Sequence, residues 1–296
     1  MTPPSISICI LNYNYGRYLA RAIDSALNQL PGDYLLAEVL VIDDGSTDES
    51  MEVCERYHGK IAVLRRKHEG FGAVLSTAVR GARGTWIAPL DADDWFAPDK
   101  LATLAPALTD GCFFLQHWEH VIDAHERPLL DEPHPGGNTS TLLVRRQPAI
   151  DLLPISNEAF FHVFDYLGYG AKLTAPLTNY RVHNANMTDR TNPGVFQDYL
   201  RRVNLEIANR LRDLSGSPPH WADGQMLKRL SWRFTAIAWS HAREAAVQRR
   251  QQRTALAALA HETRAALSAR CGVHPHWAGI TSAVLMRPTV VLGRSP

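Results

Sequence analysis

Cysteine is scarce in this sequence. Four residues, Cys9, Cys54, Cys112 and Cys271, are scattered over 296 positions with no CxxC pair. That spacing argues against a zinc framework or a disulfide scaffold and suits a reducing cytoplasm. Cys9 and Cys112 lie inside apolar runs and read as small buried side chains. No run approaches the roughly 20 apolar residues that span a bilayer. The opening Met1-Thr2-Pro3-Pro4 has no basic stretch leading into an apolar one, so no signal peptide is expected. Sequence repeats and low-complexity tracts are absent too. So is the GxGxxG spacing that wraps a pyrophosphate on a helix N-terminus, which argues against nicotinamide or flavin chemistry.

What is present is unevenly distributed. Net charge is near zero, yet residues 1–198 hold 16 Lys/Arg against 25 Asp/Glu, and residues 199–296 hold 15 against 5. The split points to two regions with different partners. Short β-branched apolar runs at 6–11, 39–42, 61–64 and 86–90 read as buried strands. Helical spacing follows at 17–29, 48–57, 72–83 and 98–108, with Ser46 or Thr47 as N-cap of the second and Pro98 opening the fourth. Alternation of this kind predicts an α/β fold with a parallel sheet and right-handed crossovers. Residues 111–182 are more mixed: 113–115, 118–122 and 141–144 look like strands, 131–138 a loop, and 156–168 a helix or ordered loop. After Pro193 the pattern turns helical, at 199–214, 222–247 and 252–270, with Gly216-Ser217-Pro218-Pro219 as a break.

In open α/β sheets ligands bind at the carboxyl ends of the strands. Three polar clusters fall there: Asn12-Tyr13-Asn14, Asp43-Asp44 and Asp91-Ala92-Asp93-Asp94. Three carboxylates at one strand end repel each other and cannot face a diphosphate directly. A divalent cation such as Mn2+ or Mg2+ between acid and phosphate resolves both problems. The competing reading is a surface turn ahead of the helix near Pro98. For Asp43 and Asp44, one carboxylate can bind a base or ribose while the other makes an Asx-turn into the next helix. Tyr13 can line a base pocket or simply pack at the sheet edge.

Taken together, these segments resemble glycosyltransferase family 2. They are Ser7–Asn14 with Tyr18-Leu19, Val41–Asp48, Leu90–Asp94 with Pro98–Leu101, Arg145-Arg146, Leu153–Ile155, Asp165–Leu167, Pro176-Leu177 and Tyr180–Asn186. The resemblance covers residues 5–188. It implies an inverting enzyme with a GT-A, Rossmann-like, mostly parallel sheet flanked by helices. Residues 1–192 would form the nucleotide-sugar-binding and catalytic domain. Residues 193–296 would form a basic, mostly helical C-terminal appendage. The donor would be a nucleoside-diphosphate sugar, UDP-linked above all, held by Leu11, Tyr13, Asp43, Asp44, Asp91, Ala92 and Arg181. Asp91, Asp93 and His183 would hold the cation, and Asp165 would be the general base, with Glu158 or Asp151 as alternatives by residue type. The Lys67–Ala73 stretch departs from the family by lacking its asparagines and arginine. No QxxRW segment is present, so single-sugar transfer is expected rather than processive synthesis.

The arm carries Trp221, Trp232, Trp239 and Trp277 among its arginines. It reads as a helical appendage with a solvated arginine face, as a dimer surface, as a cap over the acceptor cleft, or as a peripheral patch at the inner face of the membrane. The acceptor would be a carbohydrate, a lipid-linked sugar or a small molecule; nucleic acid is not expected, since no binding module for it occurs. A non-catalytic nucleotide-sugar-binding subunit and a metal-dependent phosphohydrolase are the competing functions.

Overall fold

The computed structural model describes residues 2–183, 193–249 and 251–269. The chain divides into two compact units, Met1–Phe196 and Gln197–Pro296. In the first, β1 (Ser5–Asn12), α1 (Gly16–Leu27), β2 (Leu35–Asp43), α2 (Ser50–Glu55), β3 (Ala62–Arg65), α3 (Phe71–Gly81) and β4 (Trp86–Asp91) alternate as the apolar runs predict. Then come β5 (Trp95–Phe96), α4 (Lys100–Leu104), β6 (Phe114–Ile122), β7 (His134–Pro135), β8 (Leu142–Arg145), α5 (Arg146–Leu152), α6 (His162–Tyr166) and β9 (Gly170–Arg181).

All nine strands join one sheet in the order β3-β2-β1-β4-β8-β6-β9-β5, with β7 paired to β6. β1 to β4 are parallel. β8 runs antiparallel to both β4 and β6, so β6 points the same way as β4. β9 is parallel to β6. The core follows the strand period of two. Ile6, Ile8 and Ile10, Val39 and Val41, and Ala88 and Leu90 pack one face of the sheet against Leu19 and Ile23 of α1 and Leu101 and Leu104 of α4. Cys9, Leu40 and Ile42, of opposite parity, are equally buried, and α3 packs on β1, β2 and β4. Cys9, Cys54 and Cys112 are buried and free, whereas Cys271 lies outside the described residues.

Two local expectations change. The strands expected at 113–115 and 118–122 are one strand, because register shifts around Trp118 absorb the break in alternation. Its partner β9 is not visible in the pattern, because Pro176 and polar residues interrupt the apolar run; the proline sits opposite Trp118, at the irregularity. The second helix is not capped by Ser46 or Thr47. It starts at Ser50, and Asp48 accepts the backbone N–H groups of Ser50 (3.0 Å) and Gly16 (2.8 Å).

The second unit, taken by itself, comprises α8 (Gly224–Gln248), α9 (Gln252–Ala269) and most of α7 (Pro193–Gly216). Asp223 caps α8 by accepting the Met226 N–H at 2.9 Å. The arm's tryptophans are engaged within it: Trp221 is buried, Trp239 stacks on His261 at 4.4 Å, and Arg212 lies over Trp232. Trp277 lies outside the described residues. Among the described residues no helix is long and apolar enough to cross a membrane.

Candidate active site

Parallel register brings the three acidic clusters to one edge. Asn12 at the end of β1 pairs with Asp43 at the end of β2, and Leu11 pairs with Asp91 at the end of β4. The Leu11 carbonyl accepts the Ala92 N–H at 3.1 Å, tying the acidic turn to β1. Asn12 is buried and donates to the Asp43 carboxylate (2.9 Å) and to Ser46 Oγ (3.1 Å).

Asp43 and Asp44 take different tasks. Asp43, fully buried, accepts the Ser46 N–H at 3.1 Å, the Asx-turn that the sequence allows. Asp44 faces the loop after β3. It accepts the Gly70 N–H (2.8 Å) and the Glu69 N–H (3.2 Å), and pairs with Arg66 Nε (3.2 Å) and His68 Nδ1 (2.8 Å). Gly45 between the aspartates and the loop has φ +80, and a Cβ there would come within 3.0 Å of the His68 N–H nitrogen. Only glycine fits both constraints. Tyr13, partly exposed, stacks on His68 with ring centroids 4.0 Å apart.

The turn after β4 separates its three acids. Asp94 is buried and structural: its oxygens accept the Ser140 hydroxyl (2.6 Å) and the Arg181 N–H (2.8 Å). The buried Lys100 ammonium donates to the Ser140 carbonyl at 2.7 Å, and burial pushes its pKa well below the usual lysine range. Asp93 meets His183, whose Nε2 lies 3.0 Å from Oδ2. Asp91 carries its N–H to Ser140 Oγ at 3.0 Å and a side-chain hydrogen bond to Thr139. Loss of hydration first, and the Asp93 charge second, push Asp91 and Asp94 well above the ordinary carboxylate range.

Arg181 does not reach out of this network. It is buried, with Nε on the Asp93 carbonyl (2.9 Å), one terminal nitrogen on the Ala124 carbonyl (3.2 Å) and the other on Glu126 (3.4 Å). Its guanidinium also lies over the rings of Tyr18 (4.6 Å) and Trp95 (4.9 Å). The geometry makes it a brace for the acidic turn rather than an open phosphate ligand.

The two carboxylates that follow α5 part company. Glu158 stands in a one-turn helix, Glu158–Phe161, whose N-cap Asn157 accepts the Ala159 N–H at 2.7 Å. It lies near enough to Asp91 for its charge to raise that carboxyl. The preceding backbone at Ile155 and Ser156 is pressed against Gly72 in the first turn of α3, where a Cβ would meet Ser156 Cα at 2.6 Å. Asp165, on α6, pairs with Lys172 Nζ at 2.8 Å. α6 leads into the start of β9, where Gly170 is level with Phe114, and Phe114 through Val144 with Ile87. That level is four residues, about 13 Å along the strand, from Asp91. The sequence-expected Asp165 therefore sits toward the other end of the sheet, and Glu158 is the acid brought to the tips. Asp151 is on α5, with Gln147 Nε2 3.5 Å from its carboxylate.

A divalent cation fits the residues present. Asp93 and His183 offer a carboxylate and an imidazole side by side. Among the described residues no three His, Cys, Asp or Glu side chains meet as a ready-made cage. Cations of this kind bound to nucleotides need only one or two protein groups, since phosphates and water complete the shell.

The model of glycosyl transferase family 2 matches residues 7–154. An uncharacterized glycosyltransferase of Nostoc sp. is 31% identical over 214 residues, covering 61% of this chain and 66% of that protein. The chondroitin synthase of Escherichia coli is 39% identical over 101 residues, covering 33% of this chain and 14% of the synthase. The chain thus spans less than two thirds of the length of these relatives. Among solved structures, S. aureus TarS 1–349 in complex with UDP-GlcNAc superimposes with TM-score 0.53 at 15% identity, over 86% of this chain and 89% of that one. A mannosyltransferase from Pyrobaculum calidifontis in complex with GDP-Man and Mn2+ gives 0.53 at 17%, over 96% and 80%. These likenesses establish the GT-A fold with its helical C-terminal region, and the matched motifs, spread over half of the sequence, establish that the chain belongs to glycosyl transferase family 2.

Proposed function

We propose that this chain transfers a sugar, with inversion, from a nucleoside-diphosphate sugar to a hydroxyl group, one sugar at a time and with a divalent cation. The observation that carries the reading is the meeting of Asn12, Asp43, Asp44, Asp91 and Asp93 at adjacent strand tips, with His183 on Asp93. Solved structures of the same fold hold UDP-GlcNAc or GDP-Man with Mn2+, which supports a nucleotide-sugar donor here.

In this reading Tyr13 and Asp44 receive the base, and the backbone at Leu11 and Ala92 lines the nucleoside. Asp93 and His183 hold Mn2+ or Mg2+, with Asp91 facing the donor beside them. The cation supplies charge neutralisation for the departing diphosphate. Arg181 fixes the Asp93 carbonyl, so the carboxylate is aimed before the donor arrives. Glu158 takes the proton of the acceptor hydroxyl, and its closeness to Asp91 supports this role. Asp165, the base expected from the sequence, is the rival. Its ion pair with Lys172 supports a structural task instead.

The test is product analysis. The chain is incubated with UDP-, GDP- and dTDP-sugars and a panel of hydroxyl acceptors, with Mn2+ or with EDTA. A glycoside of inverted anomeric configuration, formed only with the cation, is expected. Free sugar phosphate, a retained anomer, or no product from any donor would overturn the proposal.

A further inference from the structure

His68 makes the two contacts that a nucleobase would make at this edge. Its ring lies flat on Tyr13, with centroids 4.0 Å apart and planes 17° from parallel. Its Nδ1 meets the Asp44 carboxylate at 2.8 Å. Asp44 is buried while the His68 side chain is half exposed, so the ring covers the carboxylate on its solvent side. A planar ring that stacks on a phenol and gives one ring N–H to a carboxylate is also the description of uracil, through its N3–H. Nothing else about the loop demands this arrangement. Glu69 and Gly70 already anchor it to Asp44 through their backbone N–H groups, and Arg66 adds an ion pair.

We propose that His68 is a placeholder for the nucleobase: it holds the seat between Tyr13 and Asp44, and the donor must displace it. The occupant that replaces it is a base presenting a ring N–H, such as uracil or guanine, and not cytosine or adenine, whose matching ring nitrogen is an acceptor. The placeholder adds one more partner to Asp44 when no donor is bound, and the cost of moving it lowers apparent affinity. Selectivity then lies with Asp44, since a base that cannot donate a hydrogen bond to it leaves the carboxylate without the bond that His68 made.

This inference rests on the nucleotide-sugar reading above. The experiment is calorimetric titration of the full chain with UDP and with CDP in Mn2+, comparing the unaltered chain with His68→Ala. UDP should bind His68→Ala about tenfold more tightly, CDP should tighten by a similar factor, and UDP should stay the tighter ligand in both proteins. In the unaltered chain, the imidazole NMR signals of His68 should shift as UDP saturates. Binding of UDP to the unaltered chain without tightening in His68→Ala, or CDP bound as tightly as UDP, would overturn the placeholder alone. Unmoved imidazole signals at saturation would do the same. No uptake of UDP by either protein would overturn the donor reading and the placeholder with it. Because the His68 side chain is half exposed, the variant is expected to keep its fold, and its far-ultraviolet circular dichroism checks this.

Discussion

At the carboxyl ends of β1, β2 and β4, burial first and the neighbouring Asp93 charge second drive Asp91 and Asp94 above their usual range. Toward the amino ends of β6 and β9, Asp165 is matched by Lys172 at 2.8 Å. Both regions belong to one sheet and both are rich in acids. They differ in whether the protein supplies the counter-charge itself. Where it does, the acid has a settled partner and a structural use. Where Asp91 stays raised beside Asp93, positive charge is left to arrive with a ligand, which is why the chemistry is assigned to that end.

Exchanging the proposed base breaks the comparison most sharply. Glu158→Gln should lower transfer about 10²–10⁴-fold while donor binding is kept. Asp165→Asn should stay within a few-fold in transfer and show its effect in stability. Rates and melting temperatures of the two variants, measured side by side, decide which end is catalytic; the opposite pattern would return the role to Asp165.

A smaller loss is expected from Arg181→Lys. Charge is retained, but the planar fork that reaches the Asp93 and Ala124 carbonyls together is lost. Turnover should fall roughly 10- to 100-fold, as for groups that orient a metal ligand. Affinity for Mn2+ should weaken in step. An unchanged affinity with the same loss of turnover would detach Arg181 from Asp93.

The last effect is on stability rather than turnover, and it lies in acid. His162, buried near Asp165 and Lys172, and His241 in the helical arm are each pushed down to about 4, chiefly by burial. Both are neutral in the fold and bind a proton on unfolding below about 6.5. Their contribution is therefore present above that pH and is lost as pH falls from about 6.5 to 4, by up to about 3 kcal/mol each. Chemical denaturation at pH 7.5 and 4.5 should show the loss shrink in His162→Phe. An unchanged pH dependence there would mean that His162 is already protonated in the fold.

Much of this architecture is legible in sequence because it is local. β1, β2 and β4 announce themselves as β-branched runs, and the acids that stop them fall at the ligand edge by topology alone. The helices of the arm are equally plain from their spacing. What escapes is non-local. β9 is hidden because its strand pattern is broken at Pro176, and only pairing with β6 reveals it. Asp94 looks like a third metal acid in the sequence, yet its partners Ser140 and Arg181 lie 46 and 87 residues away. The Arg181 guanidinium likewise meets the Asp93 and Ala124 carbonyls, 88 and 57 residues away. Glu158 carries no periodic signal, being a single acid in a one-turn helix, and its closeness to Asp91 depends on how α3 receives the backbone at Ser156.

The central claim is that acids gathered at neighbouring strand tips are held in readiness for a cation and a charged nucleotide that bind together. Calorimetric titration of UDP with and without Mn2+, on the unaltered chain and on Asp93→Ala, tests this most directly. The account predicts uptake in the unaltered chain that is weakened at least tenfold by omitting Mn2+, and no Mn2+ enhancement in Asp93→Ala. Nucleotide uptake of the same strength with and without the cation, or in both proteins alike, would contradict it.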